Sequence, residues 1–135
     1  MSQQNVEAFK RAVEANNRRD VEAFLEELDP EVEWHPGLPA LLGGEATVGR
    51  GHEGARELLR DVYDALAVFH LEISEIRDLG DRIVAIGRMR ARGRESGAET
   101  ESPWHYVVQY ENGKATLIRT YLERKEALDA AGLRE

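Results

Sequence analysis

Cysteine is absent from the 135-residue sequence, so neither a disulfide framework nor a thiolate metal site can form in this chain. Long hydrophobic runs are absent too, and no apolar stretch approaches the roughly 20 residues of a membrane-spanning helix. Residues 1–17 also lack the apolar segment of a signal peptide. These absences predict a cytoplasmic protein that has no membrane as a partner.

Positive charge is scarce as well, because 18 Lys and Arg residues stand against 26 Asp and Glu residues and leave a net charge of −8. Nucleic acids and anionic membranes attract basic surfaces, so we expect neither as a partner. One local exception is a stripe of arginines at every second position: Arg88, Arg90, Arg92 and Arg94. On a strand this spacing places them on one face, as a solvated sheet surface, a subunit contact or the cationic wall of a pocket.

Apolar residues at helical spacing predict three helices in the first half of the sequence. The first covers residues 6–17, the second is capped by Asp20 and stopped by the dipeptide at 29–30, and the third begins at Gly51. We expect Leu28 on the buried stripe of the second helix. Because almost nothing joins the first two helices, they present one combined apolar face that suits the cover of a curved sheet.

A short strand and a long loop separate the second helix from the third. Residues 31–35 alternate between apolar and polar side chains, which is typical of a strand. The glycine-rich segment that follows predicts a functional rim, a lid or a flap covered by a partner, and it carries Leu38, Leu41 and Leu42.

From residue 69 onward the apolar pattern changes to period two, after a third helix that we expect to bury Leu66. The strongest local signal is Asn112-Gly113, because both residues tolerate the positive φ of a type I′ hairpin turn. The alternation predicts four antiparallel strands, the last two within residues 102–123, and a short helix over residues 125–131. Helices followed by antiparallel strands predict an α+β fold, in one domain over residues 1–135.

This order of elements, with the segments DPEVEWHPG, GRGHEGARELLRDVYDAL, NGK and RTYLERKEAL, resembles the SnoaL-like branch of the nuclear-transport-factor-two-like, or ketosteroid-isomerase-like, superfamily. The resemblance covers nearly the whole chain. It implies a cystatin-like α+β roll, in which a cone-shaped, mainly antiparallel sheet wraps around the N-terminal helices and the third helix and encloses an apolar pocket. It also implies a homodimer formed through the outer sheet face.

The acid–base residues of these families do not match this sequence. The resemblance implies an isomerase base where the chain has Trp34, and a cyclase His and Asp where it has Tyr106 and Thr120. A threonine has no pKa suited to general-base work near neutral pH, so the usual proton-transfer groups are missing. An enzyme of this type, catalysing isomerisation, cyclisation or dehydration, would need a substitute base.

His35 is the best substitute base, since imidazole titrates near neutral pH, although strict alternation turns it away from the face of Trp34. We expect Tyr106 to act as a hydrogen-bond donor and Arg88 or Arg90 to stabilise a developing oxyanion. The four histidines of the chain are scattered, without the paired spacing of a metal site, and we expect neither a metal nor a cofactor.

The remaining candidates form an expected substrate-binding wall: Trp34, Tyr63, Arg90, Trp104 and Thr120. Core packing explains any one of these aromatic residues, but as a group they favour a pocket for a small apolar or anionic molecule. The alternative is a non-catalytic binding or dimeric assembly module, whose cavity is filled by its own side chains. An enclosed space of about 300 Å³ or more would favour the ligand-binding function, whereas a filled cone would favour the assembly module.

Overall fold

The computed structural model describes residues 2–37 and 47–133. Leu38, Leu41 and Leu42 of the glycine-rich segment lie outside the described residues. Within the described part of the chain, no helix combines the length and the apolar character that are needed to cross a membrane.

The first two helices, α1 (Ser2–Arg18) and α2 (Val21–Glu26), form where they are predicted, and a side-chain oxygen of Asp20 accepts a hydrogen bond from Ala23 N at 3.1 Å. The end of the second helix was predicted wrongly. Leu28 is buried, at 2% exposure, but it is the first residue of strand β1 and does not belong to the apolar stripe of α2.

The remaining elements follow in chain order: β1 (Leu28–His35), β2 (Gly49–Arg50), α3 (Gly51–Ala65), β3 (Leu66–Asp78), β4 (Arg82–Gly93), β5 (Glu99–Pro103), β6 (His105–Glu111), β7 (Lys114–Tyr121) and α4 (Arg124–Ala130). The strands form one seven-stranded sheet in the order β2-β1-β7-β6-β4-β3, with β5 also paired to β4. The β1–β7 pair is parallel and the other pairs are antiparallel. The predicted α+β class and the curved, mainly antiparallel sheet are confirmed.

Two strand boundaries differ from the prediction. Leu66 opens β3 and is not the last inward residue of α3. The strand predicted before the 112–113 turn is divided at Trp104, whose backbone N donates to Gly87 O at 2.9 Å. As a result β5 and β6 both pair with β4, at Arg88–Pro103 and at Ala85–Tyr106.

Two hydrophobic clusters lie on opposite faces of the sheet. The inner face packs against α1, α2 and α3, and its buried residues include Trp104, Tyr106, Val108, Tyr110 and Ile118, as the alternation predicts. On the outer face, Val84, Ile86 and Val107 pack beneath Ala127, Leu128 and Ala131 around α4. The rest of the outer face of β4 is not covered by α4, since Arg88, Arg90 and Arg92 are exposed.

The side chain of Asn17, near the end of α1, binds the outer edge of β3, the last strand in the sheet order. Its Nδ2 donates to Leu71 O at 3.0 Å, and its Oδ1 accepts from Leu71 N at 2.9 Å. The amide therefore takes the place of a neighbouring strand at one residue. This contact fixes the end of α1 against the sheet and positions the adjacent Asn16.

Candidate ligand-binding site

An inner cavity of about 60 Å³ lies between the inner face of the sheet and the helices. Most of its wall is apolar and includes Val13, Phe24, Leu59, Val62, Phe69 and Ile118. An outer pocket of about 330 Å³ adjoins it and shares Trp34, Pro36 and Val62 with the inner cavity. Glu57 and Asp61 of α3 contribute carboxylates to the outer pocket. The two spaces together form an apolar site with an acidic entrance.

Trp104 and Tyr106 form a hydrogen-bonded pair in the wall of the inner cavity. The indole Nε1 of Trp104 donates to the hydroxyl oxygen of Tyr106 at 2.9 Å. The Tyr106 ring meets Phe9 edge to face at 5.8 Å, and the Trp104 ring meets Phe69 in the same way at 6.1 Å. Burial raises the pKa of Tyr106 far above its ordinary value, so this side chain stays a neutral phenol at any physiological pH.

Trp34 and Thr120 line the same space from β1 and β7. The Trp34 ring packs on Phe24 with 5.5 Å between centroids, and its Nε1 is buried without a hydrogen-bond partner among the described residues. The Thr120 hydroxyl donates to His35 O at 3.2 Å, which ties the end of β1 to β7. Thr120 therefore lines the cavity wall, and its hydroxyl is hydrogen-bonded to the backbone.

Tyr63 lies behind the cavity wall. Its hydroxyl donates to Asn16 Oδ1 at 2.9 Å, and the guanidinium of Arg19 sits 4.9 Å from its ring centroid. Burial raises the pKa of Tyr63 to about 12, although the charge of Arg19 opposes the shift. Its role in the structure is to hold Asn16, which does line the cavity, and so to join α3 to α1.

His35 does not reach the inner cavity. Alternation along β1 turns it to the same side as Glu33, away from Trp34, and the bend at Pro36 does not reverse this. His35 Nε2 lies 2.8 Å from Glu33 Oε1, and the histidine side chain is 35% exposed. The hydrogen bond from His35 lowers the pKa of Glu33, and Arg50 adds to the effect. The geometry gives no support to His35 as the base of the cavity.

The arginine stripe also lies outside the cavity. Arg88 and Arg90 are exposed on the outer face, whereas Met89 and Ala91 of the same strand are buried in the core. Arg90 lies diagonally across the β3–β4 pair from Glu72, at 3.9 Å between their nearest charged atoms. The interpretation as a cationic pocket wall is therefore wrong. The two-residue period turns Arg88, Arg90 and Arg92 to the outer face. Arg94 donates to carbonyls at the C-terminal end of α3 and does not line the inner cavity.

The comparison with protein families decides the identity of this fold. A model of the SnoaL-like domain matches residues 9–118. The chain belongs to the SnoaL-like domain family. Comparison with curated proteins gives no match.

Solved structures similar to this SnoaL-like domain cover almost its whole length. An NTF2-like protein of unknown function from Burkholderia pseudomallei K96243 is 27% identical, with a TM-score of 0.78, over 93% of this chain and 95% of its own. TerC, co-crystallised with polyporic acid, is 28% identical, with a TM-score of 0.76, over 89% and 92%. A candidate polyketide cyclase from Xanthomonas campestris pv. campestris is 20% identical, with a TM-score of 0.74, over 93% and 94%, and shows the fold alone.

The sequence analysis missed several polar groups of the site in this SnoaL-like domain. Asn16 was not singled out, and neither were Glu57 and Asp61, which stand four residues apart on α3. The sequence could have predicted their position, because Glu57 and Asp61 directly precede Leu58 and Val62, which the helical period turns inward. Among the described residues, no group of three or more His, Asp or Glu side chains is placed to hold a metal ion.

Proposed function

We propose that this SnoaL-like domain binds a small, largely apolar organic molecule that enters through the outer pocket and reaches the inner cavity. The observation that carries the proposal is that the two spaces adjoin each other, since Trp34, Pro36 and Val62 line both. The inner cavity alone, at about 60 Å³, is smaller than a usual ligand site. The outer pocket, at about 330 Å³, reaches the usual size of a ligand site, so the proposed ligand occupies the outer pocket and extends a part into the inner cavity.

The similarity to TerC supports the proposal, because that protein was crystallised with polyporic acid. Proton-transfer chemistry has less support. Among the described residues, the wall of the inner cavity contains no carboxylate and no imidazole. The carboxylates nearest to the site are Glu57 and Asp61 in the outer pocket. We therefore propose ligand binding as the function, and we assign the base of any isomerisation, cyclisation or dehydration to these two residues and not to His35.

Intrinsic fluorescence tests the binding proposal directly, because the sequence contains two tryptophans and both line the inner cavity. We expect the uncharged fluorophore N-phenyl-1-naphthylamine to quench their emission saturably, at one molecule per chain. Ala12→Leu adds volume in the cavity wall and should weaken binding about tenfold or more, an effect of about 1.4 kcal/mol. Lys10→Leu, on the exposed side of the same helix, is the matched control. Quenching that does not saturate, or that Ala12→Leu leaves unchanged, would contradict the proposal.

A second candidate function is a non-catalytic assembly module, which the small volume of the inner cavity favours. Native mass spectrometry of freshly purified protein, compared with a denaturing run, separates the two candidates. Added mass that disappears on denaturation supports ligand binding. A dimer without added mass, together with no binding of the fluorophore, supports the assembly module.

A further inference from the structure

Tyr106 presents an unused hydrogen-bond donor to the inner cavity. The residue is 8% exposed, and its hydroxyl oxygen accepts a hydrogen bond from the indole N–H of Trp104. Among the described residues, its own hydroxyl proton has no acceptor. A buried hydroxyl proton that has no acceptor costs about 1–3 kcal/mol. A ligand that places a hydrogen-bond acceptor next to the Tyr106 hydroxyl would therefore be favoured.

A second observation points to the same chemistry. The indole Nε1 of Trp34 is buried without a partner among the described residues, and this ring lines both the inner cavity and the outer pocket. The described wall of the inner cavity carries no charged side chain, whereas Glu57 and Asp61 stand at the entrance. A charged ligand group would lose its hydration there without gaining a counterion, and an anion would also meet these carboxylates.

We propose that the inner cavity selects an uncharged, carbonyl-bearing ligand, whose carbonyl oxygen accepts a hydrogen bond from the Tyr106 hydroxyl. This inference rests on the ligand-binding function proposed above. Trp104 is the positioning residue, because its N–H occupies one lone pair of the tyrosine oxygen and directs the hydroxyl proton elsewhere. A hydroxyl that already accepts a hydrogen bond is also a stronger donor, since chains of hydrogen bonds polarise one another.

Three small probes of similar shape test the proposal: acetophenone, ethylbenzene and benzoate. Their dissociation constants are measured for the wild-type protein and for Tyr106→Phe, which keeps the ring and removes the hydroxyl. We expect this change to weaken acetophenone about tenfold and to leave ethylbenzene within about twofold, as for loss of one hydrogen bond. Benzoate should bind at least about tenfold more weakly than acetophenone to the wild-type protein. Tyr110→Phe is the matched control, because Tyr110 is a second buried tyrosine on the inner face of β6.

The carbonyl stretching frequency of bound acetophenone reports the hydrogen bond itself. We expect a shift to lower frequency in the wild-type protein, relative to acetophenone in hexane. The shift should disappear in Tyr106→Phe and decrease in Trp104→Phe, which keeps an aromatic ring and removes the indole donor to the tyrosine oxygen. Circular dichroism of each variant confirms that it is folded before the comparison is made.

The outcomes separate the two proposals. If neither acetophenone nor ethylbenzene binds, the ligand-binding function fails and this inference fails with it. If both bind but Tyr106→Phe affects them equally, or the carbonyl frequency is unshifted, the binding function stands and the assignment of Tyr106 is overturned. Benzoate binding as tightly as acetophenone would overturn the preference for an uncharged ligand.

Discussion

At the scale of single residues, His105 is a buried titratable group outside the cavity. It lies on the outer face of β6, is 4% exposed, and its Nδ1 accepts a hydrogen bond from Gly87 N at 3.2 Å. This bond requires the neutral imidazole with its proton on Nε2. Burial lowers the pKa of His105, and the charge of Arg124, which itself pairs with Glu75 at 3.2 Å, lowers it further.

The lowered pKa predicts a pH-dependent stability. The unfolded chain binds a proton at His105 near its ordinary pKa of about 6.5, whereas the folded chain resists protonation. Stability is therefore complete above about pH 6.5 and declines as the pH falls below it. We expect urea unfolding at pH 7.5, 6.5 and 5.5 to show a falling free energy of unfolding, and His105→Gln to flatten this slope.

The change in stability between pH 7.5 and 5.5 does not come from Glu33 or Glu75. The pKa values of these carboxyl groups are lowered in the folded chain, so they affect stability only below the ordinary pKa of a carboxyl group. His70→Gln is the matched control, since His70 is half-buried at the sheet edge, and this variant should keep the slope. An unchanged slope in His105→Gln would show that another group carries the pH dependence.

At the scale of elements, two arginines close the C-terminal end of α3. The last carbonyls of a helix have no partner within the helix. Arg19 donates to Tyr63 O at 3.1 Å and to Leu66 O at 2.7 Å. Arg94 donates to Asp64 O at 3.1 Å and to Tyr63 O at 2.8 Å. The helix that forms one wall of the site is thus anchored by Arg19, directly after α1, and by Arg94 in the loop after β4.

This arrangement predicts that Arg94→Ala lowers the free energy of unfolding by about 1 kcal/mol, as expected for partly exposed hydrogen bonds. Arg19→Ala should cost more, about 2 kcal/mol, because Arg19 is less exposed and also packs over the ring of Tyr63. Denaturant unfolding measures both changes. Arg60→Ala, on the exposed surface of α3, is the control and should be nearly neutral. Equal effects at all three positions would refute the anchoring role.

At the scale of the whole molecule, the uncovered part of the outer face carries alternating charge. Arg90 lies between His70 and Glu101 on the neighbouring strands, and Arg88 lies between Glu72 and Pro103. Arg88 and Arg90 thus form a basic centre on β4, and Glu72 and Glu101 form acidic flanks on the neighbouring strands. A twofold axis can place the basic centre of one chain beside an acidic flank of a second copy, so the surface is complementary to itself. We therefore propose that two chains associate through this face.

The expected measurement is a mass of twice 15.2 kDa in analytical ultracentrifugation. Arg90→Glu replaces the basic centre by like charge and should weaken the dimer at least about tenfold, and added salt should weaken the wild-type dimer as well. Arg60→Glu changes the net charge equally on another surface and should have no effect. A monomer at all concentrations would contradict the proposed contact.

The sequence by itself determined the local geometry and the two faces of each strand. Asn112 and Gly113 have the positive φ values of 52° and 79° that the hairpin prediction requires. The alternation from Trp104 to Tyr110 marks the face that is buried. These features were predictable because they depend on backbone sterics and on a period of two, both of which act between near neighbours in the chain.

Only the tertiary structure decided which face meets the helices and which groups share the cavity. Period two places Arg88 with Arg90, and His35 with Glu33, but it does not say whether a given face is inner or outer. The parallel pairing of β1 with β7 and the break between β5 and β6 at Trp104 depend on contacts between distant segments. The meeting of Trp34, Trp104 and Tyr106 around one cavity has the same origin, because long-range packing, and not local pattern, brings their strands together.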